Sequence, residues 1–460
     1  MISLRRLARG FSILASTAAI AIAAPVQAED LIIDHVTLVD GTGRPEQPGM
    51  SVGVDKGRIT FVTPTSLAPR VPGRHLDGSG RYLMPGLMDV HIHLKGARGG
   101  SGRDISAKEA HDSGAAALAS YLYSGVTTIY DAGNKAEHIL GLRAEERAGK
   151  ILAPHIFATG NLVTYPGSHG SDMAVTISSW PQDREKLLRY LDEQKPDIVK
   201  LTLEEHGWGT RPLIPLLPID LMQEIILEVN RHGIRTTAHT SSELRATEAI
   251  FAGVDSLAHP VIQGPITDEF ARLMGAKKVP MATTLTIGEG YSRLVEHPEY
   301  LDQPLDQAVR TPAEIRQMRT ETLPAWKARG WTWWMKLMTP IAQENLRKIH
   351  EAGGIIAIGT DQTIGPAVHR EMELLQAVGI PAGDIVTIAT LNGAKHLGKE
   401  KDMGSIEPGK IADMLLLNAD PTADVNNMKQ IYWVMKAGRL IDEDKLPLAG
   451  GSRPLRREQR

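Results

Sequence analysis

The first part of the chain alternates between apolar and polar residues in short runs. Residues 31–38 alternate and are rich in strand-forming types, and two further runs, 51–54 and 58–62, are joined by the turn Asp55-Lys56-Gly57. A period of two is typical of strands with one buried face. The pattern therefore predicts a small β module before the main domain.

From residue 87 onward, short apolar runs alternate with longer amphipathic stretches. Strands that alternate with helices indicate parallel βα units, and eight such units fit a TIM-type (β/α)8 barrel. Periodicity alone leaves a doubly wound open sheet as the alternative, because a long insertion at about 286–344 interrupts the count. The eight predicted strands are 87–93, 126–130, 155–159, 197–203, 234–239, 254–259, 279–284 and 355–361.

The C-terminal part returns to strand patterns at 412–418 and 431–436, after a helix at 383–397. These strands could complete the N-terminal β module, so the predicted fold is an α/β barrel with a small β-sandwich domain built from both chain ends. The predicted boundaries are a signal peptide at 1–28, the β domain at 29–84 and 401–445, the barrel at 85–400 and a disordered tail at 446–460.

The first 28 residues have the layout of a secretory signal peptide. Three arginines precede the apolar stretch 11–24, and Val26-Gln27-Ala28 places small residues where signal peptidase reads them. The apolar stretch is too short for a comfortable membrane span, so a retained anchor is the less favoured interpretation. Cleavage near Ala28 predicts a periplasmic or secreted protein with no stable membrane anchor.

Composition and charge narrow the classes of function. Loss of the three arginines leaves 48 basic and 54 acidic residues, a net charge of −6, which gives no electrostatic basis for nucleic-acid binding. The chain has no cysteine, so any transition metal needs histidine or carboxylate ligands. We expect a small-molecule substrate.

The strongest chemical signal is the run Pro85-Gly86-Leu87-Met88-Asp89-Val90-His91-Ile92-His93. Residues i and i+2 of a strand project to the same side, so His91 and His93 can converge on one metal ion. Taken alone, the pair could equally be two exposed histidines. Barrel enzymes, however, draw catalytic residues from the carboxyl ends of several strands. Four further polar residues end other predicted strands: Lys200, His239, His259 and Asp361.

Lys200 is the unusual member of this set. A lysine directly after an apolar strand would be a buried cation, which is costly. A lysine that loses its proton by desolvation can react with carbon dioxide, and the resulting carbamate is an anionic bidentate ligand. The pattern therefore predicts that Lys200 is carboxylated and binds metal.

These motifs resemble the amidohydrolase superfamily, in particular its binuclear branch with a carboxylated lysine. The resemblance runs from about residue 31 to 441 and includes the opening 39–43, the lead-in 85–89 and the closing stretch 404–413. It implies two divalent metal ions, with zinc expected. By position, the family pattern gives His91 and His93 to the more buried ion, His239 and His259 to the second, carboxylated Lys200 to both, and Asp361 to the first.

The same residues define a reaction. Two metal ions about 3.5–4 Å apart share a bridging water and lower its pKa towards neutrality. Asp361 can accept a proton from that water and pass it to a leaving amine, acting as base and then acid. The predicted function is hydrolysis of an amide or peptide bond, in a dipeptide or N-acyl amino acid, by a metal-bridging hydroxide.

Within the superfamily, the chain most resembles the imidazolonepropionase-like Xaa-Pro and Xaa-Arg dipeptidases. Residues 252–259 match their sixth-strand pattern, and Gly167-Ser168-His169-Gly170 resembles their Gly-Gly-His-Gly loop. Pro260, and the absence of a glycine-rich loop at 203–206, depart from the pattern and leave the substrate open.

Three loop residues are candidates for substrate contact. His169 could act in catalysis by hydrogen bonding the substrate carbonyl or oxyanion, Tyr165 lies near it in sequence, and His206 follows the fourth predicted strand. Loop histidines are often simply solvated, whereas βα loops build the sites of barrels.

The insertion concentrates four of the seven tryptophans of the chain. It could form a hydrophobic lid over the pocket, or it could pack against the barrel or against a second subunit of a homo-oligomer. The four residues are Trp326, Trp331, Trp333 and Trp334.

Three alternative functions remain open. The same binuclear site could hydrolyse an ester, a lactone or an organophosphate. A mononuclear deaminase is disfavoured by Lys200 and by Ser242, which stands where that branch places a glutamate three residues after the fifth-strand histidine. A non-catalytic barrel scaffold is least favoured, because the whole ligand set is retained.

Overall fold

A computed structural model describes residues 30–94, 105–206 and 213–451. The predicted signal peptide lies outside the described residues, as do the last nine residues of the predicted tail. Among the described residues, no helix combines the length and the hydropathy that crossing a membrane requires.

The strands, in chain order, are β1 (Leu31–Leu38), β2 (Gln47–Asp55), β3 (Arg58–Pro64), β4 (Arg74–Asp77), β5 (Tyr82–Pro85), β6 (Leu87–Ile92), β7 (Val126–Asp131), β8 (His155–Ala158), β9 (Leu162–Thr164), β10 (Ala174–Thr176), β11 (Ile198–Thr202), β12 (Arg235–His239), β13 (Ser256–Leu257), β14 (Met281–Ala282), β15 (Ile356–Ala357), β16 (Met414–Leu417), β17 (Ile431–Lys436) and β18 (Arg439–Leu440). The helices are α1 (Ala107–Tyr123), α2 (Ala136–Arg147), α3 (Arg184–Gln194), α4 (Ile219–Arg231), α5 (Glu243–Ala252), α6 (Asp268–Lys277), α7 (Leu285–Glu296), α8 (Pro304–Val309), α9 (Pro312–Gln317), α10 (Leu323–Lys327), α11 (Gly330–Glu351), α12 (Pro366–Ala377), α13 (Ala382–Ile388) and α14 (Leu391–Leu397).

All eight strands that the sequence predicts for the main domain are present and pair in parallel. Together with the short strands β9 and β10, they form two sheets. One has the order β6-β7-β8 and the other the order β10-β9-β11-β12-β13-β14-β15. Such strands are buried on both faces because helices cover them, and every residue of β6 and β7 is buried. The α/β class is confirmed, and the sequential strand order is that of a barrel rather than of a doubly wound sheet.

The parallel strands do not form one continuous, closed sheet. The short strand β9 pairs with β11 through Leu201 and Val163, and so takes the edge at which β8 would otherwise pair. Backbone hydrogen bonds bridge both gaps: Asp197 N–H donates to Ala158 O at 2.9 Å on one side, and on the other Val90 N–H donates to Ile358 O at 2.8 Å and Thr360 N–H to His91 O at 3.1 Å. The strand ends of both sheets therefore remain close to each other.

The two ends of the described chain meet in a separate eight-stranded sheet. Its order is β18-β17-β16-β5-β1-β2-β3, with β4 paired to β1. Antiparallel pairing of β16 with β5, in the register Met414 to Pro85, brings the C-terminal strands onto the N-terminal ones. The described strands make one sheet here, so the predicted sandwich stays a prediction.

Two leucines in residues 446–451, which the sequence assigns to a disordered tail, pack against the barrel domain. Leu446 and Leu448 are buried against residues of α1 and α8, and Gly450 N–H donates to Ala308 O at 3.0 Å. Burial of two leucines offsets the entropy of ordering this short segment, which composition alone does not reveal.

A cluster of charged side chains joins the start of β8 to the eight-stranded sheet. His155 Nε2 lies 3.1 Å from Asp413 Oδ2, and its Nδ1 lies 3.5 Å from Glu146 Oε1. Lys436 pairs with the same Glu146 carboxylate. Burial lowers the pKa of His155, but the two carboxylates outweigh it and raise that pKa to about 9.

This cluster predicts a stability that depends on pH. The folded-state pKa of His155 exceeds the unfolded value of 6.5, so its contribution is fully present below pH 6.5 and is lost as the pH rises through about 9. At about 1.4 kcal/mol per pH unit, the loss is at most about 3 kcal/mol. Urea unfolding of the wild type should report this decline, and His155→Gln should flatten it. The exposed control His297→Gln should not, and an unchanged pH profile in His155→Gln would contradict the assignment.

Candidate active site

The histidine pair at the end of β6 lies where the carboxyl ends of the parallel strands meet. His91 is fully buried and the side chain of His93 is one-third exposed. His93 Nδ1–H donates to the carbonyl of Gly133 at 2.5 Å, which fixes the tautomer and leaves Nε2 as the nitrogen that can bind a metal.

Asp361 reaches the same point from the residues after β15. Its Oδ1 lies 3.4 Å from His93 Nε2 and 3.9 Å from His91 Nε2. The φ of Asp361 is 53°, a left-handed conformation that is costly for a residue with a Cβ, and its N–H donates to His91 O at 2.7 Å. Gly359 permits this approach, because a Cβ there would lie 2.8 Å from the Cβ of His91.

Lys200, on β11, points its amine into the histidine group. It is 3% exposed, and its Nζ lies 3.1 Å from His91 Nε2. Burial lowers the pKa of Lys200, while the Asp361 and Asp131 carboxylates act against that effect. For the Asp361 carboxyl, burial has the opposite effect and raises the pKa, while the positive charge of Lys200 acts to lower it. A buried lysine with a lowered pKa is the form in which its amine becomes reactive.

The remaining predicted ligands extend this group as a row of rings. The ring centre of His259 lies 4.4 Å from that of His91 and 4.4 Å from that of His239. His169 stacks on His239 at 4.3 Å with an interplanar angle of 16°. The structure therefore brings all six predicted ligands and His169 to one place. The end of β6 supplies His91 and His93, and each of the other side chains comes from a different strand end or loop.

The other two substrate candidates lie at the margin of this group. Tyr165 is partly buried and packs against the barrel core. His206 contacts the site through its backbone, since its N–H donates to Glu204 Oε1 at 2.8 Å.

The tryptophans of the insertion divide between different environments. Trp331 and Trp334 pack against the barrel core, and Trp326 contacts Tyr291 in a tilted arrangement with ring centres 4.4 Å apart. Trp333 is 63% exposed.

Two buried carboxylates behind the histidine pair were not singled out from the sequence. Asp89 accepts hydrogen bonds from Thr360 Oγ1 at 2.7 Å and from Thr360 N–H at 3.0 Å, and so ties β6 to the loop that carries Asp361. Asp131 accepts the N–H of Leu94 at 2.8 Å. Burial raises the pKa of Asp89 to about 8 and also raises that of Asp131. Both residues position the ligand-bearing backbone.

Glu204 is a third buried carboxylate close to the site. It is 1% exposed, accepts a hydrogen bond from Ser241, and its Oε2 lies 4.0 Å from His239 Nε2. Asp131 is the last residue of β7, and Glu204 follows β11 by two residues. The strand-end criterion that selected the histidines could therefore have found both.

The donor atoms fit a divalent metal. One ligand atom each from His91, His93 and Asp361 lies within 4.8 Å of the other two, and two imidazoles with a carboxylate are ordinary ligands of zinc and related ions. Burial lowers the pKa of His91, His239 and His259 well below the usual value, so these rings are neutral, as coordination requires. Among the described residues, His91 Nδ1 is buried without a hydrogen-bond partner.

Two curated relatives cover most of the chain. The imidazolonepropionase of Symbiobacterium thermophilum is 23% identical over 91% of this chain and 98% of its own. A 5-methylthioadenosine/S-adenosylhomocysteine deaminase from the same organism is also 23% identical, over 85% of this chain and 86% of its own.

Two solved structures share the fold. A Xaa-Pro dipeptidase with methionine in its active site superposes with a TM-score of 0.71 at 21% identity, and covers 90% of this chain and 99% of its own. A putative prolidase from Bifidobacterium longum has a TM-score of 0.67 at 25% identity, with 90% and 95% coverage.

The family itself is shown by a match to the amidohydrolase family over residues 82–441. This match confirms the resemblance found in the sequence motifs and agrees with the relatives and the solved structures. Because it spans most of the 460 residues, the chain belongs to the amidohydrolase family of hydrolases.

Proposed function

We propose that this enzyme hydrolyses an amide or peptide bond in a small substrate, such as a dipeptide or an N-acyl amino acid. The observation that carries the proposal is the convergence of His91, His93 and Asp361 beside the buried amine of Lys200. The likeness to a putative prolidase at 25% identity supports a peptide-type bond.

In this proposal the site holds two divalent ions, with zinc expected. When bound, the ions supply an activated water molecule and polarise the scissile carbonyl. Carboxylation of the Lys200 amine would remove the cost of a buried cation and would provide an anionic metal ligand. His91, His93 and Asp361 would hold one ion, and His239 and His259 the other.

The protein's own groups then move the proton and orient the substrate. Asp361 accepts a proton at its carboxylate oxygen and delivers it to the leaving nitrogen. His169, which stacks on His239, would donate a hydrogen bond to the substrate carbonyl. Tyr165 and His206 would contact the substrate at the margin.

A deaminase is the second candidate, because one relative bears that name. Ser242 stands where the deaminase branch has a glutamate, and this difference argues against a deaminase. Ser242 caps α5 by accepting the N–H of Arg245 at 3.3 Å, and a capping hydroxyl cannot serve as a general acid in place of a carboxylate.

Metal analysis joined to an activity screen tests the proposed function. We expect close to two divalent ions per chain by elemental analysis, and turnover of members of a panel of dipeptides and N-acyl amino acids, measured by release of the free amine. Full activity with one ion per chain, together with ammonia release from aminated heterocycles, would instead establish the deaminase.

A further inference from the structure

A cavity of about 340 Å³ lies beside the candidate metal site, between α7, α8 and α12. This volume is within the range of small-ligand pockets. Gln362, the residue after Asp361, forms part of its wall and donates from Nε2 to Thr286 O at 3.0 Å. The metal-ligand candidates do not line the cavity, so it is a separate compartment that begins one residue from Asp361.

Aromatic side chains line the cavity. The rings of Tyr291 and Trp326 contact each other at an interplanar angle of 35°, and both belong to the wall. Gln362 belongs to the same wall as these rings and directly follows Asp361 in the chain, so the wall begins next to the reacting centre.

The wall of the cavity carries one more cation than carboxylates. Its acidic residues are Glu289, Asp306 and Glu373, and its basic ones are Arg293, Arg310, Arg370 and Lys429. The carboxylates are matched in three pairs: Asp306 with Arg310 at 3.1 Å, Glu289 with Arg370 at 2.8 Å, and Glu373 with Lys429.

Arg293 is the basic residue that this pairing leaves over. Its guanidinium carbon lies 4.2 Å from the ring centre of Tyr300, a cation–π contact that holds the group without neutralising it. Within the described part of the chain, no carboxylate lies within ion-pair distance of this guanidinium. The Asp306 carboxylate interacts with Arg293 at longer range but pairs directly with Arg310. A partly buried arginine at a cavity wall, without a direct ion pair among the described residues, is suited to a carboxylate in bidentate geometry.

We propose that this cavity receives the part of the substrate that extends beyond the scissile amide, and that Arg293 binds a single carboxylate there. The excess of one positive charge selects a ligand with one negative charge, and the aromatic wall suits the apolar surface of the residue that carries this carboxylate. The inference rests on the proposed function and deepens it. It names Arg293 as the residue that recognises the free carboxylate of these substrates.

Matched substrate pairs test the role of Arg293. N-benzoylglycine and other N-acyl amino acids and dipeptides are each compared with the counterpart in which a primary alcohol replaces the carboxylate. The wild type should prefer the carboxylate in kcat/KM by about 10- to 100-fold, the worth of a charge-assisted pair. Arg293→Met should reduce this preference to under about threefold, mainly through KM, while kcat/KM for the alcohols stays nearly constant. Arg293→Lys should retain part of the preference.

The control is Arg272→Met, which removes an exposed arginine on α6 that pairs with Glu269 and should leave the preference intact. A preference that survives in Arg293→Met overturns the inference while the proposed function stands. A wild type that does not discriminate between the two kinds of substrate overturns it as well.

If no amide is cleaved, the proposed function fails. Calorimetric titration of the zinc-loaded enzyme with N-benzoylglycine and N-benzoylethanolamine then decides: tighter binding of the carboxylate that Arg293→Met abolishes supports the inference, and equal binding overturns it.

Discussion

Lys200→Ala should lose both bound metal and activity. The amine of Lys200 lies 3.1 Å from His91 Nε2 inside the buried histidine group, and no other described lysine is a predicted ligand. Without the proposed carbamate, the two ions lose their shared anionic ligand. We expect kcat/KM to fall by about 10⁴-fold, which corresponds to about 5.5 kcal/mol of transition-state stabilisation, and metal content to fall well below two per chain.

Two controls separate this role from a structural one. Lys200→Arg should fare no better than alanine, because a guanidinium stays charged and cannot form the carbamate. A short-chain carboxylic acid added to Lys200→Ala should restore part of the activity, since a free carboxylate can occupy the vacated position. Retention of two ions and a near-normal rate in Lys200→Ala would show that the lysine is only structural.

Asp361→Asn should fail in a different way. The amide keeps the size of the side chain and an oxygen that can still face the histidines, so the metal content should stay close to that of the wild type. It cannot accept a proton, and we expect kcat to fall by about 10²- to 10⁴-fold, the usual worth of a general base. Steady-state kinetics and elemental analysis on the same preparation measure both quantities.

Glu371→Gln is a suitable comparison for Asp361→Asn. Glu371 is also fully buried on the carboxyl side of the barrel, where it accepts the N–H groups of Leu285 and Thr286 at the start of α7. Loss of the Glu371 carboxylate should lower the free energy of unfolding, while kcat should change less than in Asp361→Asn. If Asp361→Asn retains more than about a tenth of wild-type kcat, Asp361 is not the proton acceptor.

The order of strands and the residues at their ends could be derived from the sequence. Parallel strands covered on both faces leave continuous apolar runs, and their carboxyl ends meet at one edge. A polar residue that ends such a run, such as His239 or Asp361, is therefore placed near the others whatever the details of packing. The same reasoning predicts that Lys200 lies among the histidines, where its amine is 3.1 Å from His91 Nε2.

Other features depend on contacts between distant residues and leave no local pattern. The pairing of β9 with β11, which interrupts the parallel sheet, follows from a three-residue strand that no periodicity marks. In the sequence, Leu446 and Leu448 belong to a segment predicted to be a disordered tail, whereas in the structure they are buried against α1 and α8.

The charge of the cavity is also a tertiary property. The sequence does not distinguish Arg293 from Arg310 and Arg370. In the folded structure, Arg310 pairs with Asp306 and Arg370 with Glu289. Sequence therefore determined which side chains reach the reacting centre, because strand ends converge by topology. Tertiary structure decided which charges around it remain for a substrate, because neutralisation depends on distances of a few ångströms between residues far apart in the chain.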